Sequence, residues 1–583
     1  MLTLFSHYLQ SNQAPSEDET REIKALRAIP LEEISIIDVE IEEIEGILNS
    51  LKRKRAHIQE SVDDIDTILA PVRRLPTDVL GVIFRHCLAT HRNPVISTSE
   101  APILLTQICR DWRSIALSIP QLWSRLYIPT LGGRFRRHCH PKSFPIILEE
   151  ERRIQALTEE VQRWLRLSAA CPLAITLMSD RDTVSHPPLL DSIIQSSRRW
   201  QQLELGCFLP PASASDVLTR LLSLSQDDLC MLQELRIHSL YSYSQEMEED
   251  PWYQSSLLTA QGLRSIFIAN IPQISTLNAG IPPNWKNLNH LFIHSRILLG
   301  LAHQIFSYCC NLVACLLEID GQWNDFDTIP DASITLSSCI LLHLTFLSLQ
   351  GNSTACSELF GSIEAPSLQI LDYPGYFPTV SDEFGLLKFL HNINSLKTFR
   401  LDHHCITELE SNVLKYFTLF PSVTHLVLGR PRKRNYMHSP SHESHSFPEH
   451  DNLTFITTLH KFRHQYSPDS APTVLFPSLE TFEAFGVFGV TDAMFLEFIK
   501  GRIDATKSNA NVSKLKKVLV EFFGTRQTNI IPEALAYAQA AGIKLELDLT
   551  YYTTTKKEVN ATWSPSSGLS LDDVSWPYPL YDY

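Results

Sequence analysis

The sequence predicts an α/β chain: a long N-terminal helix, then a short all-α module, then an open α/β repeat array. Three patterns carry that expectation. A seven-residue hydrophobic repeat runs through residues 34–69, apolar residues at helical spacing fill residues 75–123, and one apolar phrase recurs from residue 200 onward. A 3.5-residue period marks a helix that seeks another helix, whereas short phrases of alternating apolar residues mark strands. At 583 residues the chain exceeds one ordinary core, so several domains or an elongated array are expected.

Residues 1–30 are mostly polar and are expected to form a disordered N-terminal segment. The heptad-patterned helix is placed at residues 31–70, between Pro30 and Pro71. Its stripe is Ile34, Ile37, Ile41, Ile44, Leu48 and Leu51, continued after Arg55 by Ile58, Val62, Ile65 and Leu69. Two uses of such a stripe stand open: packing within the chain, or a homodimeric coiled coil. Arg55 on the seam argues against an unbroken dimer, so packing within the chain is the expectation and the homodimer the alternative. The run Lys52-Arg53-Lys54-Arg55 reads as a solvated helical turn.

Residues 71–128 read as a small helical module. Pro76 and Asp78 sit at a helix start, where a missing N–H costs nothing and the helix dipole favours an acid. Val79, Leu80, Ile83, Phe84, Cys87 and Leu88 then form one wide apolar face. Ile103, Leu104, Ile108, Cys109, Trp112, Ile115 and Ala116 follow in a second helical stretch, broken at Pro120. So short a segment can barely bury this much apolar surface alone, which points to a partner or a neighbouring domain.

The run Leu75-Pro76-x-Asp78-Val79-Leu80-x-x-Ile83-Phe84, followed by Cys109-Arg110-x-Trp112, resembles an F-box. The trailing Pro120-Gln121-Leu122-Trp123 resembles the close of F-box modules in the expanded, mushroom-type fungal families. The resemblance implies docking onto a Skp-type adaptor, and through it onto a cullin–RING ubiquitin ligase. It implies that Leu75, Pro76, Asp78, Val79, Leu80, Ile83 and Phe84 bind the adaptor, with Cys109 and Trp112 organising the module or sharing the interface. Asp78 stands where Glu is commoner in the family, and the connector 89–101 is longer than usual.

From about residue 150 to 550 the phrase apolar-x-x-apolar-x-apolar recurs. It begins at Trp200, Leu232, Leu263, Leu288, Leu312, Leu344, Leu368, Leu396, Val423, Leu479 and Leu515. The eleven starts are 24 to 36 residues apart, apart from one interval of 56. This resembles a degenerate leucine-rich repeat, whose phrase marks the turn into a short strand. Inward residues would stack into one core, and segments such as 302–307 and 383–390 would supply helices. An ordinary α/β domain with recurring apolar strands is the competing reading. Outward positions such as Glu204, Arg236, His294, Ser348, Arg400 and Glu483 are candidate target contacts, Arg236, His294 and Arg400 foremost.

The long interval holds a polar insert at 430–472, read as a loop. His438, His442, His445 and His450 lie in it, as His138-Cys139-His140 lies elsewhere, without the spacing of a zinc site. The tail, 551–583, ends in Trp and Tyr residues expected to cap the last repeat.

The formal net charge of −15 argues against broad nucleic-acid binding. Residues 1–70 hold 15 acids against 7 bases, −8 of that total. No secretory signal or membrane span is expected. The twelve cysteines form no CxxC pair, and Cys87, Cys109 and Cys315 are expected to be small buried hydrophobes. A cytoplasmic or nuclear location follows from these readings. With only 20 glycines and no phosphate loop or nucleophile motif, neither a cofactor nor catalysis is expected. Asp402-His403-His404-Cys405 is read as a local run rather than a nucleophile pair. The expected function is a non-catalytic substrate receptor, and the alternative is a repeat scaffold acting outside a ligase.

Overall fold

The computed structural model describes residues 5–90, 92–128, 144–178, 187–206, 220–238, 255–269, 280–319, 336–351, 353–373, 384–401, 420–429, 475–487, 490–508 and 511–552. The polar insert with its four histidines, the 402–405 run, the 138–140 run and the tail beyond 552 lie outside these residues. The chain divides into two compact units, residues 1–82 and 83–583.

The first unit is dominated by helix α1, Glu17–Leu69. It starts well before residue 31, so residues 17–30 of the expected disordered segment are helical. The cause is a capping box: the Glu19 N–H donates to Ser16 Oγ at 3.3 Å, and the Ser16 N–H donates to Glu19 Oε2 at 2.9 Å. Glu17, Asp18 and Glu19 in the first turn add to it. Pro30 lies inside the helix, where it removes one backbone bond without ending the run. No residue of α1 is buried, and the aliphatic residues of its seam are exposed. A 3-10 turn at Pro71–Arg74 leads to helix α2, Thr77–His86, within which the division between the units falls.

In the second unit the rest of the helical module runs directly into a sheet. Helix α3 is Leu105–Ile108 and helix α4 is Arg110–Ser118, followed by a 3-10 turn at Pro120–Trp123 and strand β1, Arg125–Ile128. Trp123 joins the parts. Its Nε1 donates to the Ala116 carbonyl at 2.9 Å, and its ring meets Trp164 edge-on at 4.9 Å. Trp164 sits on helix α5, Phe144–Leu167, and donates from Nε1 to the Arg125 carbonyl at 3.2 Å. The long connector contributes as well. Val95 bridges Tyr127 in parallel, and Arg125 Nε donates to Asn93 Oδ1 at 3.0 Å. The expected break between a module at 71–128 and a repeat region from 150 is therefore absent here: β1 is already the first strand of the sheet.

Among the described residues, fourteen strands form one parallel sheet in chain order. After β1 come β2 (Leu173–Met178), β3 (Trp200–Gly206), β4 (Glu234–His238), β5 (Ser265–Ala269), β6 (His290–Ile297) and β7 (Ala314–Ile319). A two-stranded sheet pairs β8 (Cys339–Ile340) with β10 (Ile363–Glu364). The main sheet continues with β9 (Phe346–Gly351), β11 (Ile370–Tyr373), β12 (Thr398–Leu401) and β13 (His425–Leu428). It finishes with β14 (Thr481–Val487), β15 (Lys517–Phe523) and β16 (Glu546–Tyr552). With β1 and β16 at opposite ends, the sheet is not a closed barrel.

Each apolar phrase coincides with a strand. Its second and third residues fall in register from strand to strand, as Leu203–Leu235–Ile266–Leu291 and Leu205–Ile237–Ile268–Ile293 do, and all are buried. Parallel neighbours need a crossover, and here short helices or 3-10 turns supply many of them. The helix at Leu299–Tyr308 and the helix at Phe384–His391 match the two segments expected from the sequence. Aromatic contacts identify the helix-covered face: Phe360, from the helix at Ser353–Ser362, meets Tyr373 at 5.7 Å. Phe498, from the helix at Asp492–Ser508, meets Phe482 at 5.1 Å.

Candidate functional site

The nine module residues singled out by the F-box resemblance divide by burial. Pro76, Asp78, Val79, Ile83 and Cys109 are exposed, and Leu75 and Trp112 are partly so. Leu80 and Phe84 are core residues, with 6% and 0% of their surface exposed, so the structure corrects their assignment to an outer surface. Phe84 packs against Trp112 with ring centroids 4.8 Å apart. The helical period explains the division, because residues 80 and 84 are one turn apart and share a side of α2. Val79, Val82 and Ile83 fall on another side of that helix and remain exposed.

Cys109 is exposed and caps α4, its Sγ accepting from the Trp112 N–H at 3.4 Å. The expected burial of Cys87 and Cys109 is thus corrected, and only Cys315 of the three is buried. Leu104 and Ile108, both on the second apolar stretch of the sequence, are exposed as well, which their spacing alone does not reveal. Ile108 and Ile83 stand 56% and 38% exposed.

The second candidate region is the sheet face opposite the helices. One row in register there reads Thr176, Glu204, Arg236, Phe267, Phe292 and Leu316, then Ser348, Asp372, Arg400, Val427 and Glu483. Three of the expected target contacts hold defined places in it or beside it. The Arg236 guanidinium lies 4.8 Å from the centre of the Phe267 ring and pairs with Glu234. His294 Nδ1 lies 2.8 Å from Glu318 Oε2. Arg400 stands between Asp372 and Val427 in the register.

Ser348 is fully buried, against the expectation of an outward contact, and donates to Asp372 Oδ2 at 3.1 Å. Glu483 lies 3.5 Å from both His425 Nε2 and Lys517 Nζ, ion-pair separations that hold its carboxyl below the usual range, His425 contributing most. Glu204 accepts from Thr176 Oγ1 at 2.9 Å, and Thr176 in turn accepts from Asn93 Nδ2 at 2.9 Å. The connector of the helical module therefore reaches the same row of side chains.

The middle of this face is apolar. Phe267 stacks on Phe292 at 5.0 Å, and Phe292 on Phe346 at 5.9 Å, with Ala314 and Leu316 completing a buried cluster. The signal was legible: the variable position inside the phrase is Phe267, Phe292 and then Leu316 in three consecutive repeats, where a wetted face calls for polar residues.

Among the described residues no group of three or more His, Cys, Asp or Glu is arranged to hold a metal ion, and no helix is long and apolar enough to cross a membrane. Burial pushes the Cys309 and Cys356 thiols up to about 12, and Cys315 well above its ordinary value, so these sulfurs stay protonated and inert. No protein-family model and no curated protein matches the chain.

Proposed function

We propose that this chain is the substrate receptor of an SCF-type cullin–RING ubiquitin ligase. Its F-box-like module docks a Skp-type adaptor, and its strand array, read as leucine-rich-repeat-like, holds a protein target. The observation that carries this reading is the motif Leu75-Pro76…Cys109-Arg110-x-Trp112 on a module whose helices leave Ile83, Leu104 and Ile108 in solvent. Exposed aliphatic side chains on the module that carries the motif offer an apolar surface to a partner. The sequential parallel order of the strands supports the repeat reading. The chain contributes no chemistry; it raises the target's local concentration beside the ubiquitin-conjugating enzyme.

The test is co-purification of the full chain with a Skp-type adaptor. The wild type is expected to retain the adaptor and the double variant Ile83→Asp/Ile108→Asp to lose it, while Leu342→Asp, an equally exposed change far along the chain, retains it. Equal recovery with all three proteins overturns the reading.

A further inference from the structure

Helix α1 presents a seam from Ile34 to Leu69 on which no residue is buried; Val62, the least exposed aliphatic residue of that seam, stands at 43%. A stripe of this narrow 3.5-residue period fits one object, another helix of the same kind. The charges beside the seam say which helix and which way round.

With Ile34 at position a and Ile37 at d, Asp38, Glu45 and Lys52 fall at e, and Glu33, Glu40 and Lys54 at g. In a parallel, in-register pair, each g residue faces the e residue of the next heptad. Glu33 then meets Asp38 and Glu40 meets Glu45, like against like, while Lys52 and Lys54 meet Ile47 and Gln59. That arrangement offers repulsion and no compensating attraction.

Turned antiparallel, with Ile44 of one helix level with Leu48 of the other, e faces e and g faces g. Asp38 now meets Lys52, Glu40 meets Lys54 and Lys24 meets Asp66, each pair occurring twice by symmetry. Ile47 meets its own copy on the two-fold axis, Leu26 meets Ile68, and only Glu45 faces its like. The same register sets Ile23 level with Leu69, so almost the whole helix is used.

We propose that the protein self-associates through α1 as an antiparallel two-stranded coiled coil centred near Gly46. The basic turn Lys52–Arg55 is then an orientation device: it sits opposite the acidic stretch of a second copy. Arg55, the charged seam position, lies level with Ile37 and beside the second copy's Asp38. At 1.5 Å per residue the two Leu69 ends stand about 70 Å apart, so two docking modules would leave the dimer from opposite ends.

Sedimentation equilibrium on the full chain tests this with two charge reversals at exposed positions, K52E/K54E and D38K/E40K. The wild type is expected to be a dimer at micromolar concentration. Each variant alone is expected to associate at least tenfold more weakly, and an equimolar mixture to recover wild-type association, because opposite charges face again. A monomeric wild type at tens of micromolar overturns the proposal. So do variants that associate as the wild type does. Tighter association by D38K/E40K also overturns it, since that change removes the repulsion of a parallel pair.

Discussion

The Tyr551 hydroxyl donates a 2.5 Å hydrogen bond to Asp492 Oδ1, tying the last described strand to the first turn of the helix at Asp492–Ser508. The other carboxylate oxygen accepts the Gln527 and Thr528 N–H groups at 2.8 and 2.7 Å. One buried carboxylate thus joins a helix, a loop and β16, and Tyr551 also stacks on Phe522 at 5.1 Å. Such a node is costly to break, because a buried partner left unpaired loses its water as well as its bond.

Replacing Asp492 by Ala is expected to cost about 3 kcal/mol, and replacing Tyr551 by Phe about 1 kcal/mol, read from urea unfolding midpoints. A pH signature accompanies this. Burial, and then the Asp492 carboxylate, raise the Tyr551 phenol above its ordinary value. A group that holds its proton more tightly when folded stabilises fully below its unfolded value, about 10 for tyrosine, and loses that contribution as pH rises further. Stability is therefore expected to fall above pH ~10 in the wild type, and Tyr551→Phe to fall less steeply. Identical slopes would show that the bond carries no such linkage.

Helix α2 allows core and surface to be separated by mutation. Phe84 is sealed against Trp112, whereas Ile83, its immediate neighbour in sequence, is exposed. Phe84→Ala is expected to destabilise by about 3–5 kcal/mol through lost burial and a cavity. Ile83→Ala is expected to change stability by less than about 0.5 kcal/mol. Thermal unfolding of both variants, set beside adaptor capture, separates loss of docking from loss of folding: only Ile83→Ala should weaken capture while leaving the melting temperature in place.

The strands were the most legible part of the sequence, for a simple physical reason. Every repeat must bury the same positions, so Leu203, Leu235, Ile266 and Leu291 recur at the same place in each phrase. Strand β1 carries the phrase as Trp123-x-x-Leu126-x-Ile128, where it reads as the close of the helical module, and the first position of the phrase is Pro172 before β2 and Lys544 before β16, although all three pair in the same sheet. The start of α1 was hidden because Pro30 reads as a boundary, while the stronger signal, Ser16-x-x-Glu19, lies a dozen residues earlier. At the candidate site, the motif located the helical module but not which of its residues face outward. That distinction required the pairing of Phe84 with Trp112, a contact made across two helices and invisible to local spacing.

The helices at Ser353–Ser362 and Phe384–His391 approach each other through two glycines, Gly361 and Gly385. In an exposed helix, Gly→Ala is expected to stabilise by up to about 1 kcal/mol, since alanine loses less backbone freedom. At Gly385 the sign is expected to reverse. A Cβ there would overlap the Ser357 carbonyl oxygen and crowd the backbone of Gly361, and neither is the end of a flexible side chain that can move aside. Gly385→Ala is therefore expected to lower stability by about 1–3 kcal/mol, the range for overpacked contacts. Gly46, with nothing within 4 Å of its would-be Cβ, is the matched control, and Gly46→Ala should leave the melting temperature unchanged or raise it. A melting temperature for Gly385→Ala at or above the wild type would mean that the two helices are not held at this separation.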